Sequence, residues 1–220
     1  MIASQPNSES EVYQGQFGEF TITQNDRLGV IAYRAGLAIA ALSFATGTYL
    51  ILSQGGTPAV LQALTALFGI FSLGLAVSLV TIHIYLVPLH RLLQIFWLIG
   101  TAAAVVLGWQ SSEPLALLVF NRPVTLLGIG FSFAALTGIY FKEAFCFNRL
   151  ETRFLTPLVP LLLLGHMAGI LPQTGEQVLL AIWAILFMVF VLRKIVQPIP
   201  PDIGDKSVFA YLKQQRSAKV

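Results

Sequence analysis

The sequence predicts an all-α membrane protein that folds as a bundle of six transmembrane helices. Of its 220 residues, 56% are hydrophobic and only 10% are charged, and the mean hydropathy is +0.77. A soluble domain carries about 25% charged residues. The chain also contains several apolar runs close to the length of about 20 residues that a helix needs to cross a bilayer.

Composition also limits the functions that the chain can have. The net charge is only +3, so we expect no strongly basic domain that would bind nucleic acid. A single cysteine excludes an intrachain disulfide and a multi-cysteine metal site. Because no basic region precedes the first apolar run, we also expect no cleavable secretory signal.

The apolar runs divide the chain into three parts. We predict a polar N-terminal segment at residues 1–27, a six-span transmembrane domain at residues 28–196 and a cytoplasmic basic tail at residues 197–220. The spans are predicted at residues 28–52, 59–86, 92–109, 124–141, 154–171 and 177–196. An even number of spans places both termini on the same side of the membrane.

Three stretches outside these spans have local structure of their own. Residues 12–23 contain glycines and alternating β-formers, which is typical of either a small hairpin or an ordered coil. Residues 110–123 include the apolar piece PLALLVF, which is too short to cross and predicts an interfacial helix or a shallow re-entrant turn. Residues 205–220 form either an amphipathic helix on an anionic membrane surface or a solvated tail.

The placement of basic residues predicts that the side shared by the termini is cytoplasmic. Cytoplasmic loops of membrane proteins carry an excess of lysine and arginine. With six spans, the opposite side receives only Arg122. The terminal side receives Arg27, Arg91, Lys142, Arg149, Arg153, Arg193, Lys194 and four further basic residues in the tail.

Small residues at four-residue spacing indicate where helices pack. Lipid offers no hydrophobic drive for helix association, so close packing in a membrane requires small side chains. We predict that the third and fourth spans approach closely, either each other or a partner. Their stripes consist of Gly100, Ala104 and Gly108 in the third span and Gly130, Ala134 and Gly138 in the fourth.

Residues 140–153 (YFKEAFCFNRLETR) form a polar island between the fourth and fifth apolar runs. A helix that continued from the fourth span would place Lys142, Cys146, Arg149 and Arg153 on one face. His90 and Arg91 follow the second span and lie on the same side of the membrane. We predict that these residues form a docking surface.

A chemically reactive alternative pairs Cys146 with His90. Nearby cations favour the thiolate, and a cysteine beside a histidine is the minimum for nucleophilic or redox chemistry. However, Cys146 lies between Phe145 and Phe147, and a buried free cysteine behaves as a small hydrophobe. We therefore predict a structural thiol and no catalytic residue.

His166 is the histidine that lies well within a span. An imidazole in lipid needs a partner, water or a ligand, and this one is a candidate axial ligand for a tetrapyrrole such as haem or chlorophyll. His83 lies near the cytoplasmic end, so it does not match His166 in depth and a bis-histidine haem is disfavoured. We predict an interhelical hydrogen bond at His166 and no cofactor.

Two segments resemble a known family. They are GIYFKEAFCFNRLETRFLTP at residues 138–157 and LLLLGHMAGIL at residues 161–171. Both are similar to the DUF2301 family of uncharacterised integral membrane proteins of cyanobacteria and plastids, over about residues 25–200. The resemblance implies a thylakoid, plasma or plastid membrane, and it implies no particular activity.

The sequence favours a non-enzymatic role. It lacks a P-loop and the GxSxG and HExxH motifs, and its acidic residues near the spans, such as Glu143 and Glu176, lie at span edges. We predict an auxiliary or assembly factor for a membrane protein complex, with membrane lipids and other membrane proteins as partners. The alternatives are a small-solute channel or transporter, or a membrane enzyme that depends on Cys146.

Overall fold

The structure is a computed structural model that describes residues 11–217, without the side chains of residues 210, 213, 216 and 217. It consists of helices and one short hairpin. The strands are β1 (Val12–Gly15) and β2 (Gly18–Thr21). The helices are α1 (Gln24–Gln54), α2 (Pro58–Thr81), α3 (Val87–Gln110), α4 (Leu115–Asn121), α5 (Leu126–Phe147), α6 (Leu150–Met167), α7 (Gln173–Ile195), α8 (Pro200–Ile203) and α9 (Ser207–Ser217).

The prediction of an all-α membrane protein agrees with these helices. Within residues 11–217, five helices are long and apolar enough to cross a membrane, namely α1, α2, α3, α5 with the 3-10 turn before it, and α7. The fifth predicted span coincides with α6, an 18-residue helix that is not among the five. Glu151 and Arg153 in the first turn of α6 lower its hydropathy, so the six-span arrangement remains a prediction.

Local sequence signals determine where several helices begin. Thr23 and Asp26 form a reciprocal capping box at the start of α1, in which each side chain accepts a hydrogen bond from the other residue's backbone N–H. Thr57 accepts a hydrogen bond from the backbone N–H of Val60 at the start of α2, and Pro58 occupies the first helical position. The cap of α1 explains why this helix begins four residues before the predicted first span.

The prediction that one helix continues through residues 140–153 is wrong. Helix α5 ends at Phe147, because Asn148 adopts the left-handed conformation with φ of 52° and ψ of 40°. Asparagine tolerates this region better than most residues and is a frequent helix terminator. The chain then turns, and Arg149 lies between α5 and α6 with an extended backbone, so Lys142 and Arg149 do not share a helix and the continuous basic face does not form.

The core of the bundle is apolar and rich in aromatic residues. Trp183, Phe187 and Phe190 on α7 are almost fully buried and pack with Tyr140 of α5 and Phe71 of α2. The indole N–H of Trp183 donates to the Tyr140 hydroxyl over 3.2 Å. Buried Trp and Tyr side chains require such a partner for their polar atoms.

Small residues allow α3 and α5 to approach each other closely. A Cβ on Gly100 would overlap the backbone and side chain of Ser132, and a Cβ on Gly138 would overlap the Leu93 side chain. Ala104 is also buried in this contact, where it packs with Ile129. Gly108 and Gly130 lie elsewhere: Gly108 has open space around it, and the nearest atom to a Cβ on Gly130 belongs to Leu126 of its own helix.

The two terminal regions meet at one end of the bundle. Of the two alternatives for residues 12–23, the hairpin forms, with β1 and β2 antiparallel. The Asp205 carboxylate accepts hydrogen bonds from Ser207 and, over 2.6 Å, from the backbone N–H of Gln16. These bonds hold the pKa of Asp205 below its ordinary value. Ile203 packs against Val30 next to this contact.

Candidate functional site

A buried ion-pair network lies at the end of the bundle where α5 and α7 terminate. We define it by six residues: Tyr33, Arg34, Lys142, Glu143, Lys194 and Asp202. They come from α1, α5, α7 and α8, so the network joins elements from both ends of the sequence. Buried charges are stable only when they are paired and hydrogen-bonded.

Arg34 connects α1 to the chain that follows α7. Its Nε and Nη2 atoms donate to Oδ2 of Asp202 over 2.9 and 2.7 Å. Its guanidinium also donates to the backbone carbonyls of Gln197 over 2.6 Å and Pro198 over 2.9 Å. The planar guanidinium therefore holds residues 197–202 against the bundle through a charge-assisted, multidentate contact.

Lys194 lies at the centre of the network. Its Nζ atom is 2.6 Å from Oε2 of Glu143 and 2.5 Å from Oδ1 of Asp202, and its side chain has no exposed surface. The other carboxylate oxygen of Glu143 accepts hydrogen bonds from Lys142 over 2.8 Å and from the Tyr33 hydroxyl over 3.0 Å. Each of the two carboxylates is thus bound by more than one donor.

A second layer of polar contacts extends the network towards α6. Arg149 donates to the side-chain amide of Gln197. Glu151 lies 2.7 Å from Arg193 and 3.7 Å from Arg149. These contacts join the start of α6 to the end of α7. Nη1 of Arg149 and Oε1 of Glu151 make no hydrogen bond within the described residues, but every charged group of the arrangement has an oppositely charged partner. The whole arrangement is therefore suited to fixing the geometry of the bundle.

A cavity of about 560 Å³ lies at the other end of the bundle. Glu176 at this end and Lys194 in the network lie at opposite ends of α7. At a helical rise of about 1.5 Å per residue, they are about 27 Å apart along the helix axis. The α1–α2 turn, helix α4 and the α6–α7 turn surround the cavity. Exposed Gly55 and Gln173 contribute to its edge, so it is open at this end.

The wall of this aromatic cavity is mostly hydrocarbon. Its aromatic side chains include Phe44, Phe68, Phe71, Phe133 and Trp183, and Phe44 and Trp183 have ring centroids 4.4 Å apart. Ligand pockets have volumes of about 300–1,000 Å³ and are lined mainly by such residues with a few polar groups. The cavity therefore has the size and surface of a site for a small apolar or amphiphilic molecule.

A histidine–carboxylate pair supplies the main polar group of the cavity. Nδ1 of His166 lies 2.7 Å from Oε1 of Glu176, which joins α6 to α7. The imidazole also stacks on Phe120 of α4, with ring centroids 5.6 Å apart. His166 thus makes the predicted interhelical hydrogen bond, but it lies in the last turn of α6 and not well within the helix as the sequence predicted.

The residues predicted to form a docking surface lie in different environments. Arg149 is buried in the second polar layer, and the Lys142 side chain is nearly buried in the ion-pair network. Cys146 and Arg153 are exposed, and Arg153 donates to Asn148. The cationic face predicted around the thiol is thus divided between the interior and the surface.

His90 and Cys146 are not joined by a hydrogen bond in the described structure. Nε2 of His90 lies 2.5 Å from the carbonyl oxygen of Leu79 and 3.2 Å from the amide nitrogen of Gln94. The neighbouring Arg91 is exposed. Within residues 11–217, no group of three or more His, Cys, Asp or Glu residues is arranged to hold a metal ion.

Comparison with known proteins places these features in a family. The model of the DUF2301 family, described as an uncharacterised integral membrane protein, matches residues 77–211, which is more than half of the chain. This chain belongs to the DUF2301 family. No curated protein and no solved structure matches it. The family resemblance seen in the fifth span and the polar island is therefore confirmed, although the match begins at residue 77 and not near residue 25, and it does not show a cyanobacterial or plastid origin.

The DUF2301 match contains most of the ion-pair network but not its α1 members. Glu143, Lys194 and Asp202 lie within residues 77–211, whereas Tyr33 and Arg34 precede them. The sequence prediction assigned Lys194 to membrane topology and Glu143 to a span edge, and it did not recognise Asp202. One signal was available: Arg34 lies inside an apolar run and therefore requires an acidic partner on the same side of the membrane.

Proposed function

We propose that this DUF2301 protein is a non-enzymatic auxiliary or assembly factor that binds a transmembrane helix of a partner protein. The observation that carries the proposal is an apolar groove of about 310 Å³ between α5 and α6. Gly130 and Ala134 of the α5 small-residue stripe line it, together with Thr137. Pro160 and Met167 are among the residues that line it on α6.

The composition of this α5–α6 groove suits a helix better than it suits bulk lipid. Small residues let a second backbone approach closely, and the resulting van der Waals contact drives association in a membrane. Gly100 and Gly138 use their small size for the contact of α3 with α5. Gly130 and Ala134 are half-buried and line an open groove instead, so their small size remains available for a partner.

The polar contacts support a binding role over ion-coupled transport. A coupled transporter uses intramembrane acids that face a water-filled path. Glu143 and Asp202 are instead bound to Lys194, and Arg34 is bound to Asp202. Neither the aromatic cavity nor the α5–α6 groove is lined by these charged residues.

Six spans with cytoplasmic termini are the topology that we propose in a plasma or thylakoid membrane. Arg149 and Glu151 at the start of α6 lie near Arg193 at the end of α7, and His166 at the end of α6 contacts Glu176 at the start of α7. These contacts make α6 antiparallel to α7 along its length, which supports its assignment as the fifth span. Helix α4 would then lie at the non-cytoplasmic surface, and the basic tail at the cytoplasmic one.

Labelling of Cys146 tests this topology. Cys146 is the only cysteine in the chain and is exposed at the end of α5. A membrane-impermeant maleimide should label it in inside-out vesicles and leave it unlabelled in intact cells. A Cys146→Ser variant with a new cysteine at exposed Ser112 should give the reverse pattern. Labelling of Cys146 in intact cells would show that the proposed orientation is inverted.

Replacement of Gly130 by leucine tests the helix-docking groove. The residue has room for a side chain, so the Gly130→Leu protein should fold and reach the membrane at the wild-type level. Its side chain would fill the α5–α6 groove, and recovery of the partner by affinity purification in mild detergent should fall at least tenfold. Photo-cross-linking from position 134 identifies the partner and shows whether it is another protein or a second 24.0-kDa copy.

Gly108→Leu is the matched control for this experiment. Gly108 is exposed on α3 and has open space around it, so the substitution adds the same side chain away from the groove. The Gly108→Leu protein should recover the partner as the wild type does. Equal recovery by Gly130→Leu, or cross-links from position 134 to lipid alone, would contradict the proposed function.

A further inference from the structure

The aromatic cavity is a different space from the α5–α6 groove, although Leu126 and Leu163 line both. The groove lies between α5 and α6, whereas the cavity extends to α1, α2, α4 and α7. Its depth follows α7 from Glu176 to Trp183, which is about 10 Å at the helical rise per residue. Such a space accepts an elongated molecule with one end at the edge and the other in the core.

Charge limits the head group that this molecule can have. The lining residues that the structure describes include no lysine or arginine, and they do include Glu176. A phosphate or carboxylate head at this end would lie near the Glu176 carboxylate, and the described lining offers no lysine or arginine to pair with it, which is unfavourable. The cavity is therefore unsuited to phospholipid and fatty-acid head groups and suited to a neutral one.

His166 is positioned to bind such a neutral head. Glu176 occupies Nδ1 of the imidazole and Phe120 stacks on its face, so the ring is held in one orientation. Nε2 makes no hydrogen bond within the described residues and is available to a hydroxyl or carbonyl oxygen of a ligand. A carboxylate that orients a histidine in this way defines one direction for the ligand hydrogen bond.

Aromatic side chains select the shape of the ligand. Trp183 lies 4.4 Å from Phe44 and 5.3 Å from Phe133, measured between ring centroids, and all three line the cavity. Aromatic rings gain from offset-stacked and edge-to-face contacts with other flat, unsaturated groups. We infer that the cavity binds a neutral amphiphile of the isoprenoid quinone class, with its oxygenated ring hydrogen-bonded to His166 and its unsaturated tail among the aromatic side chains.

Binding is measured on the full chain in phospholipid nanodiscs with a benzoquinone whose ten-carbon tail consists of two unsaturated isoprene units. Trp183 lies in the cavity wall, so saturable quenching of tryptophan fluorescence should report binding, and Trp183→Phe should remove most of the signal. His166→Leu should weaken binding about tenfold through loss of one hydrogen bond. Ala116→Phe, at a half-buried position in the wall, should weaken it by occupying the space.

His83→Ala is the matched control, because His83 is half-buried and is not part of the cavity lining. It should leave quinone binding unchanged. Decanoic acid and excess phosphatidylglycerol should not compete with the quinone. Equal binding by His166→Leu and Ala116→Phe, effective competition by either acidic lipid, or a tetrapyrrole absorption band in the purified protein would overturn the inference.

Discussion

Replacing Lys194 by methionine should strongly destabilise the folded bundle. The change removes the cation between Glu143 and Asp202 and leaves both buried carboxylates with fewer partners. Removal of one partner from a buried ion pair costs about 3–5 kcal/mol. For a chain of this length, that loss lowers the unfolding midpoint by about 6–20 °C in a thermal-shift measurement on the detergent-solubilised protein.

Two further variants test whether the loss of stability is specific to the ion-pair network or follows from the removal of any charge. Arg91→Met removes a cation from an exposed site and should change the free energy of unfolding by less than about 0.5 kcal/mol. The Glu143→Gln/Lys194→Met double variant should lose less stability than the sum of its single variants, since both charges of the pair are removed together. Additive losses would show that Glu143 and Lys194 do not interact.

Gly100→Ala should disrupt the packing of α3 against α5, although it adds only one methyl group. Its Cβ would overlap the backbone of Ser132, and a helix backbone cannot move aside as the end of a flexible side chain can. Overpacking of this kind costs about 1–3 kcal/mol. The expected result is a lower unfolding midpoint and loss of the close α3–α5 contact, which disulfide cross-linking of cysteines placed on the two helices can detect.

Gly108→Ala provides the comparison on the same helix. Alanine is a better helix former than glycine by about 1 kcal/mol, and Gly108 has open space around it. Gly108→Ala should therefore maintain or raise the unfolding midpoint. If both substitutions have the same effect, the close approach of α3 to Ser132 is not what makes Gly100 important.

Local signals explain how much of the fold could be predicted. Hydropathy and the thickness of the bilayer define a span from its own residues, so the predicted spans coincide with helices to within a few residues at most boundaries. The hairpin at β1 and β2 was one of two alternatives, because glycine and β-formers support either outcome. The end of α5 at Asn148 was missed, since a left-handed asparagine leaves no periodic signal in the sequence.

Long-range contacts explain what the sequence prediction missed. Arg34 and Asp202 are 168 positions apart, and Glu143 and Lys194 are 51 positions apart. Arg34 lies inside an apolar run and so signals that it needs an acidic partner, but nothing local to Glu143, Lys194 or Asp202 identifies them as buried partners. His166 was correctly predicted to need an interhelical partner, yet the choice of Glu176 depends on how the α6–α7 turn brings the two helices together.

The sequence by itself determined that this DUF2301 protein is an integral membrane protein, because burial of apolar helices in lipid depends on composition along each run. It also determined that most lysines and arginines lie in the segments between and after the apolar runs. Only the tertiary structure decided that Lys194 is buried between two carboxylates while Cys146 is exposed. The physical reason is that ion pairing and cavity shape depend on distances between helices, which hydropathy along one helix does not encode.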